Sequence, residues 1–330
     1  MGQVDTEMTR GGSPVGHVLL QNLHMREESL SYIDAMYAVL THKGWFDLSK
    51  PLLAGMTVFG FRLTVDRRLT AESLTTYNWA AEHFLACDFI GVTASSRACF
   101  TFQPTFPLYR RRAIADMIAS IDRGTGAIFW HGGFVVATGY DAERELIYYS
   151  DGVESSEAYK TLLYEELGRN GSPYFYYQTL DDRIPMDPLA VYKESFVQAI
   201  FKWETHDVLL LEAAYACGRA AYDAIVEALE NGDYDADGAR MLFTAYSAAK
   251  RDIAAYTQAV GSVWPDVREA AEQYGELARL YERIIAPGVK DVERAAMFRE
   301  AKGIEERAID ALKKLVRETT VNRRHDVGLR

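Results

Sequence analysis

The chain has 330 residues, enough for one large domain or two ordinary ones. It is 48% hydrophobic and 25% charged, an ordinary globular balance, with a formal net charge of -11. That acidity argues against sequence-independent binding to nucleic acid, which needs a concentrated positive surface.

Three widely spaced cysteines, Cys87, Cys99 and Cys217, offer no disulfide framework and suit a reducing compartment. Met1 to His17 lacks the apolar core of a secretory signal, and no apolar run approaches about 18 residues. A cytoplasmic protein is expected, with no membrane partner, no nucleic-acid partner and no cofactor.

Met8 to Asn22 reads as a loop followed by a short apolar stretch. Glu28 to Lys43 has helical spacing, with Tyr32, Ala35, Met36, Val39 and Leu40 on one face and Gly44 as its stop. Pro51 to Leu63 is rich in turn residues and leads into a strand within FGFRLTV, Phe59 to Val65. Thr70 to Cys87 reads as one helix, with Thr70 as its cap and Glu72 in the first turn. Asp88 to Thr93 reads as a buried strand. Phe106 to Arg123 reads as a helix turning Ala113, Met117, Ile118 and Ile121 inward, and Gly126 to Trp130 as a short strand. A hairpin follows: strand Phe134 to Thr138, turn Gly139 to Glu145, strand Leu146 to Tyr149, then Ser150-Asp151-Gly152. A tyrosine-rich stretch runs on to Gln178.

The texture changes near residue 185. Beyond Pro185 and Pro188 the chain is rich in Ala, Glu, Arg and Leu at helical spacing. About five helices are expected: Asp187 to Glu204, Asp207 to Glu230, Asp235 to Val260, Pro265 to Ala286 and Val289 to Glu318. Gly218 then falls inside the second, where it would permit close helix packing at a cost of about 1 kcal/mol against alanine. Tyr215 and Tyr222 near it read as core or domain interface. The expected architecture is α+β: a mixed domain over 1–185, an all-α bundle over 186–320 and a frayed tail over 321–330.

Four segments carry a resemblance: SYIDAMYAVLTHKGW (Ser31 to Trp45), AIADMIASIDRGTGAIFW (Ala113 to Trp130), the stretch from Gly133 in GGFVVATGYD, and YYSDG. In pattern and order, the first 180 or so residues resemble the papain-like cysteine peptidase fold in its bacterial variants. The double-glycine peptidases and the N-terminal domain of butirosin-biosynthesis protein H acyltransferases are the nearest in pattern. The helical second half is similar to the extension that follows that domain in the butirosin-H type. The resemblance implies a papain-like domain. It also implies a nucleophilic cysteine at the N-terminus of the first helix, a histidine at the start of the hairpin and an orienting acid at its end. Here the helix start holds Tyr32 and Ile33, the histidine position holds Gly133, and only the acid, Asp151, is present. Acyl-enzyme chemistry needs a thiolate with a histidine in hydrogen-bond reach, and neither is in place.

Other residues offer substitutes. His131 lies two positions before Gly133, on the same side if the strand extends that far, or it is a strand-end histidine. Ser29 and Ser31 precede the helix as caps, with Ser31 also a candidate nucleophile. Asp34 reads as a surface acid, a first-turn charge or a polar group in the vestigial cleft. Cys99 reads as a small buried hydrophobe or a nucleophile. His83 and Cys87 stand four apart on a helix, but two ligands do not make a zinc site. Arg62, inside an apolar strand, would need Asp34, Glu82 or Asp151 as partner if buried.

Two readings of function are weighed first. One is a non-catalytic binding protein, a pseudoenzyme that holds a peptide, an acyl-carrier arm or a small molecule in a cleft lined by Tyr32, Ile33, Asp34, Trp130 and Gly133. The other is an acyltransferase or amide hydrolase with a relocated nucleophile, using His131, Asp151 and Ser31. A third is an assembly protein whose bundle forms a homodimer.

Overall fold

The computed structural model describes residues 16–153 and 158–319. Residues 8–15 of the expected first loop and the expected frayed tail, 321–330, lie outside the described residues. The chain is mixed α+β, with an antiparallel sheet in its first part and a helical region in its second.

The first part runs β1 (His17–Leu19), α1 (Ser31–His42), α2 (Lys50–Met56), β2 (Thr64–Asp66), α3 (Trp79–Phe89), β3 (Val92–Phe100) and α4 (Phe106–Asp122). Five strands follow: β4 (Ala127–Trp130), β5 (Phe134–Asp141), β6 (Leu146–Ser150), β7 (Lys160–Leu163) and β8 (Tyr174–Arg183). The sheet order is β3-β8-β4-β5-β6-β7, every pair antiparallel, and β1 pairs with the far end of β5. Side chains alternate across its central strands. Ile128, Trp130, Phe134, Val136 and Tyr176 pack with α1, while Phe129, Val135, Ala137, Phe175 and Tyr177 pack with α4. Both faces are therefore covered, which is why β4 and β5 read as continuous apolar runs.

The second part runs α5 (Pro188–Glu204), β9 (Tyr215–Cys217), α6 (Arg219–Asn231), α7 (Ala236–Val263), α8 (Arg268–Ile284) and α9 (Asp291–Thr319). Asp187 caps α5 and Asp235 caps α7, each accepting from backbone N–H groups of the first turn. The two parts share a core. Phe61, Leu63 and Val65 are buried in one cluster with Tyr222, Ile225, Tyr246 and Tyr256, and β2 pairs antiparallel with β9.

Several expected elements differ. α2 occupies Lys50–Met56, where turns are expected, and Arg62 follows a single 3-10 turn and stands before β2, not inside a strand. The Asp207 to Glu230 helix is broken: β9 occupies Tyr215–Cys217, and α6 starts only after Gly218. Gly218 has φ 54° and ψ -130°, a backbone no helix contains, so it is a pivot and not a helix-packing glycine. The Thr70 to Cys87 helix starts at Trp79, because the Asp66 carboxylate captures the Thr70 N–H and the Thr70 and Ser73 hydroxyls in a turn. Asn78 then caps α3, accepting from the Ala81 N–H at 3.1 Å. The Asp88 to Thr93 strand is displaced, since α3 runs on to Phe89 and β3 spans Val92–Phe100. No helix among the described residues is long and apolar enough to cross a membrane.

Candidate functional site

Ser31 opens α1, and its Oγ accepts a hydrogen bond from the Phe134 N–H at the start of β5, at 3.2 Å. A Cβ added to Gly133 would stand 3.9 Å from both Cβ and Oγ of Ser31, with nothing closer. The residue facing Gly133 is therefore Ser31, and not Tyr32 or Ile33. Each helical residue turns about 100° from the last, which leaves Ser31 half-buried at the surface and sends Tyr32 and Ile33 into the core at 1% exposure. Neither lines an open cleft. A cleft lining of Tyr32, Ile33, Asp34, Trp130 and Gly133 together does not form.

Asp151 follows the last residue of β6. The β5–β6 register pairs Val136 with Ser150, and its continuation sets Asp151 opposite Val135, on the α4 side of the sheet. Its carboxylate is engaged by Lys160 Nζ at 2.8 Å and accepts from the Val153 N–H at 3.3 Å. Ser150 Oγ accepts from the Met25 N–H, and Gly152 O from the Glu27 N–H, so residues 25–27 run across the end of β6. Gly152 has φ 78°, and a Cβ there would meet Glu27 N at 2.5 Å. The approach of this segment requires glycine after the acid.

His131 does not extend a strand toward Ser31. It sits in the three-residue turn between β4 and β5, with its N–H bonded to Gly133 O at 2.8 Å. Its ring lies edge-on to Tyr149, with centroids 5.4 Å apart, on the α4 side of the sheet. Burial pushes its pKa down, against the opposing pull of Asp151 and Glu166. Among the described residues no hydrogen bond joins the ring to Ser31 or Asp151, and Nδ1 is buried without a partner. Nor is any imidazole, carboxylate or amine hydrogen-bonded to Ser31 Oγ among the described residues. Trp130 is packed between Trp79 and Phe134, and its indole N–H donates to Ser172 Oγ at 3.2 Å.

Asp34 belongs to a different arrangement. It is 2% exposed and accepts from the Glu28 and Ser29 N–H groups at 2.8 and 2.9 Å. Lys50 Nζ stands 3.1 Å from Asp34, 3.1 Å from Glu28 and 3.5 Å from Asp252 on α7. Burial works against the lysine charge, but Asp34 and Asp252 outweigh it and leave the Lys50 pKa raised. The cluster fixes the turn leading into α1, and hence Ser31, and links that turn to the helical part. Lys50 carries no sequence signal of its own: it precedes a proline at a helix start and reads as a surface residue.

His83 is a core histidine. Its ring nitrogens contact the Tyr77 hydroxyl at 3.0 Å and the Tyr176 hydroxyl at 2.8 Å, and Tyr32 stacks on its ring. Burial, then the nearby Arg62 charge, lowers its pKa well below the usual histidine value and favours the neutral ring. Cys87 beside it is buried, which pushes its thiol up to about 12 and makes it a poor nucleophile. Cys99 is partly buried on β3, and burial raises its pKa as well. Among the described residues no group of three or more His, Cys, Asp or Glu is placed to hold a metal ion.

No protein-family model matches this chain, and no curated protein matches it either.

Proposed function

We propose that this protein is a non-catalytic relative of the papain-like peptidases and butirosin-H-type acyltransferases that its sequence resembles. It binds a peptide, an acyl-carrier arm or a small molecule at the α1–β5 junction without transferring a group from it. The observation that carries this reading is the 3.9 Å approach of Ser31 to the vacant side-chain position of Gly133. A helix N-terminus, a hairpin start and an acid at the end of the second hairpin strand are the three seats such chemistry uses. Serine, glycine and a lysine-bound aspartate occupy them. A serine hydroxyl is a weak nucleophile unless a base lies within about 3 Å, and none is hydrogen-bonded to Ser31 among the described residues.

An acetyl-pantetheine thioester tests the proposal on the wild-type protein. Titration should perturb the Gly132 and Gly133 amide resonances saturably, with no thiol release above buffer and no mass adduct. An acyl adduct on Ser31, or no perturbation at these glycines, would overturn it.

A further inference from the structure

Arg62 is 4% exposed and has no carboxylate partner among the described residues. The three acids that the sequence offers it are each taken by a lysine: Asp34 by Lys50, Glu82 by Lys202 and Asp151 by Lys160. One Nη donates to Leu74 O at 2.7 Å, and the guanidinium lies 4.1 Å from the Tyr77 ring centre. Nε and the other Nη are buried with no acceptor. A buried guanidinium satisfied by one carbonyl and one aromatic face remains costly, because its charge is desolvated and uncompensated.

The same arginine lines a cavity of about 180 Å³ between α3, β2 and the residues after α5. At about 30 Å³ per water, that is room for a handful of heavy atoms beyond a carboxylate. Thr64 and Cys217 line it as well, and Phe201, Val208 and Leu209 bring apolar surface to it. Those last three are 55%, 93% and 64% exposed, an unusual cost for large apolar side chains on one rim. The other charged lining groups are the Glu82–Lys202 pair, which neutralises itself, and Asp207, whose Oδ1 accepts from the Leu209 N–H at 3.0 Å.

We infer that this cavity, separate from the Ser31–Gly133 junction, binds a small monocarboxylate with a short apolar body. The carboxylate pairs with the guanidinium of Arg62, the uncompensated charge of the cavity wall. The carbon chain leaves along Val208 and Leu209. The inference goes beyond the proposed function, since no residue of that junction lines the cavity.

The test is calorimetric titration of the full chain with straight-chain carboxylates from acetate to octanoate, against the matched alcohols and methyl phosphate at constant ionic strength. A mid-length carboxylate should bind saturably, with the matched alcohol at least about tenfold weaker. Arg62→Met should abolish binding, and Val208→Asp on the exposed rim should weaken it without altering the fold. Two wild-type results would overturn the inference whether or not Arg62→Met folds: no carboxylate binding, or equal binding of acid and alcohol. Preference for methyl phosphate, or undiminished binding by a folded Arg62→Met, would also overturn it. The guanidinium would then be held by Leu74 and Tyr77 alone.

Discussion

Replacing Lys250 by methionine is expected to cost about 3–5 kcal/mol of folding stability, read as a lowered urea midpoint at unchanged slope. Lys250 on α7 and Glu305 on α9 form an ion pair at 2.5 Å, with side chains 1% and 3% exposed. The second Glu305 oxygen accepts from the Tyr222 hydroxyl at 2.5 Å, and the Tyr281 hydroxyl donates to Tyr222 at 3.0 Å. Without the lysine, a carboxylate would stay in the bundle core with a single neutral donor. Desolvation is then uncompensated, which costs far more than the net worth of the intact pair. The double variant Lys250→Met/Glu305→Leu removes both charges and should recover more than half of the loss, leaving chiefly the Tyr222 O–H without its carboxylate acceptor. A cost below about 1 kcal/mol for the single variant would contradict this picture of the bundle.

Gly218→Ala is expected to be comparably damaging, about 3 kcal/mol or more. Its φ of 54° and ψ of -130° lie where only glycine is comfortable. A Cβ there would stand 2.4 Å from the carbonyl oxygens of both Lys202 and Trp203, which are backbone atoms at the end of α5 and cannot swing away. Its N–H also donates to Leu63 O at 2.9 Å, beside the β2–β9 pairing. One methyl group would therefore push α5, α6 and β2 apart. Gly232→Ala is the internal comparison. Gly232 caps α6 with φ 70° and ψ 9°, and no atom lies within 4 Å of its added Cβ, so only about 1 kcal/mol is at stake. Equal losses for the two variants, measured by thermal unfolding, would contradict the assignment of Gly218 as a pivot.

The sequence exposed the elements that its local chemistry determines. The 106–123 helix and the 134–149 hairpin are legible because apolar periodicity and glycine placement agree with the tertiary outcome. The first helix stops at Gly44 as its spacing implies, with φ 70° there. What failed was long-range. Tyr215, Ala216 and Cys217 have helix-compatible spacing, yet they pair with Thr64–Asp66 across a separation no local pattern reveals. Thr70 looks like a helix cap, but Asp66 four residues earlier claims it for a turn.

Which residue faces Gly133 was not legible from helical spacing alone. Reading the seat opposite Gly133 as Tyr32 and Ile33 missed the rotation of α1, which presents Ser31 instead. Both neighbours are large and apolar, and that was the available signal that they turn inward. His131 shares the parity of Gly133 only if the strand continues, and the tight turn closed by its own N–H ends it. Arg62 stood out as a charge within an apolar run. The three lysines that claim its candidate partners come from distant segments, and only the fold brings them in.

The most direct test installs a thiol at Ser31 and an imidazole at Gly133. Ser31→Cys alone places a thiol at the α1 N-terminus, and Ser31→Cys/Gly133→His adds an imidazole at a position with ordinary 3.9 Å clearance. If these are the seats of a thiol–imidazole pair, alkylation of the introduced thiol by iodoacetamide at mildly acidic pH should be at least about tenfold faster in the double variant, because a thiolate beside an imidazolium persists to lower pH. Equal rates in the two variants, with both folded, would mean that Ser31 and Gly133 do not face each other as nucleophile and base must.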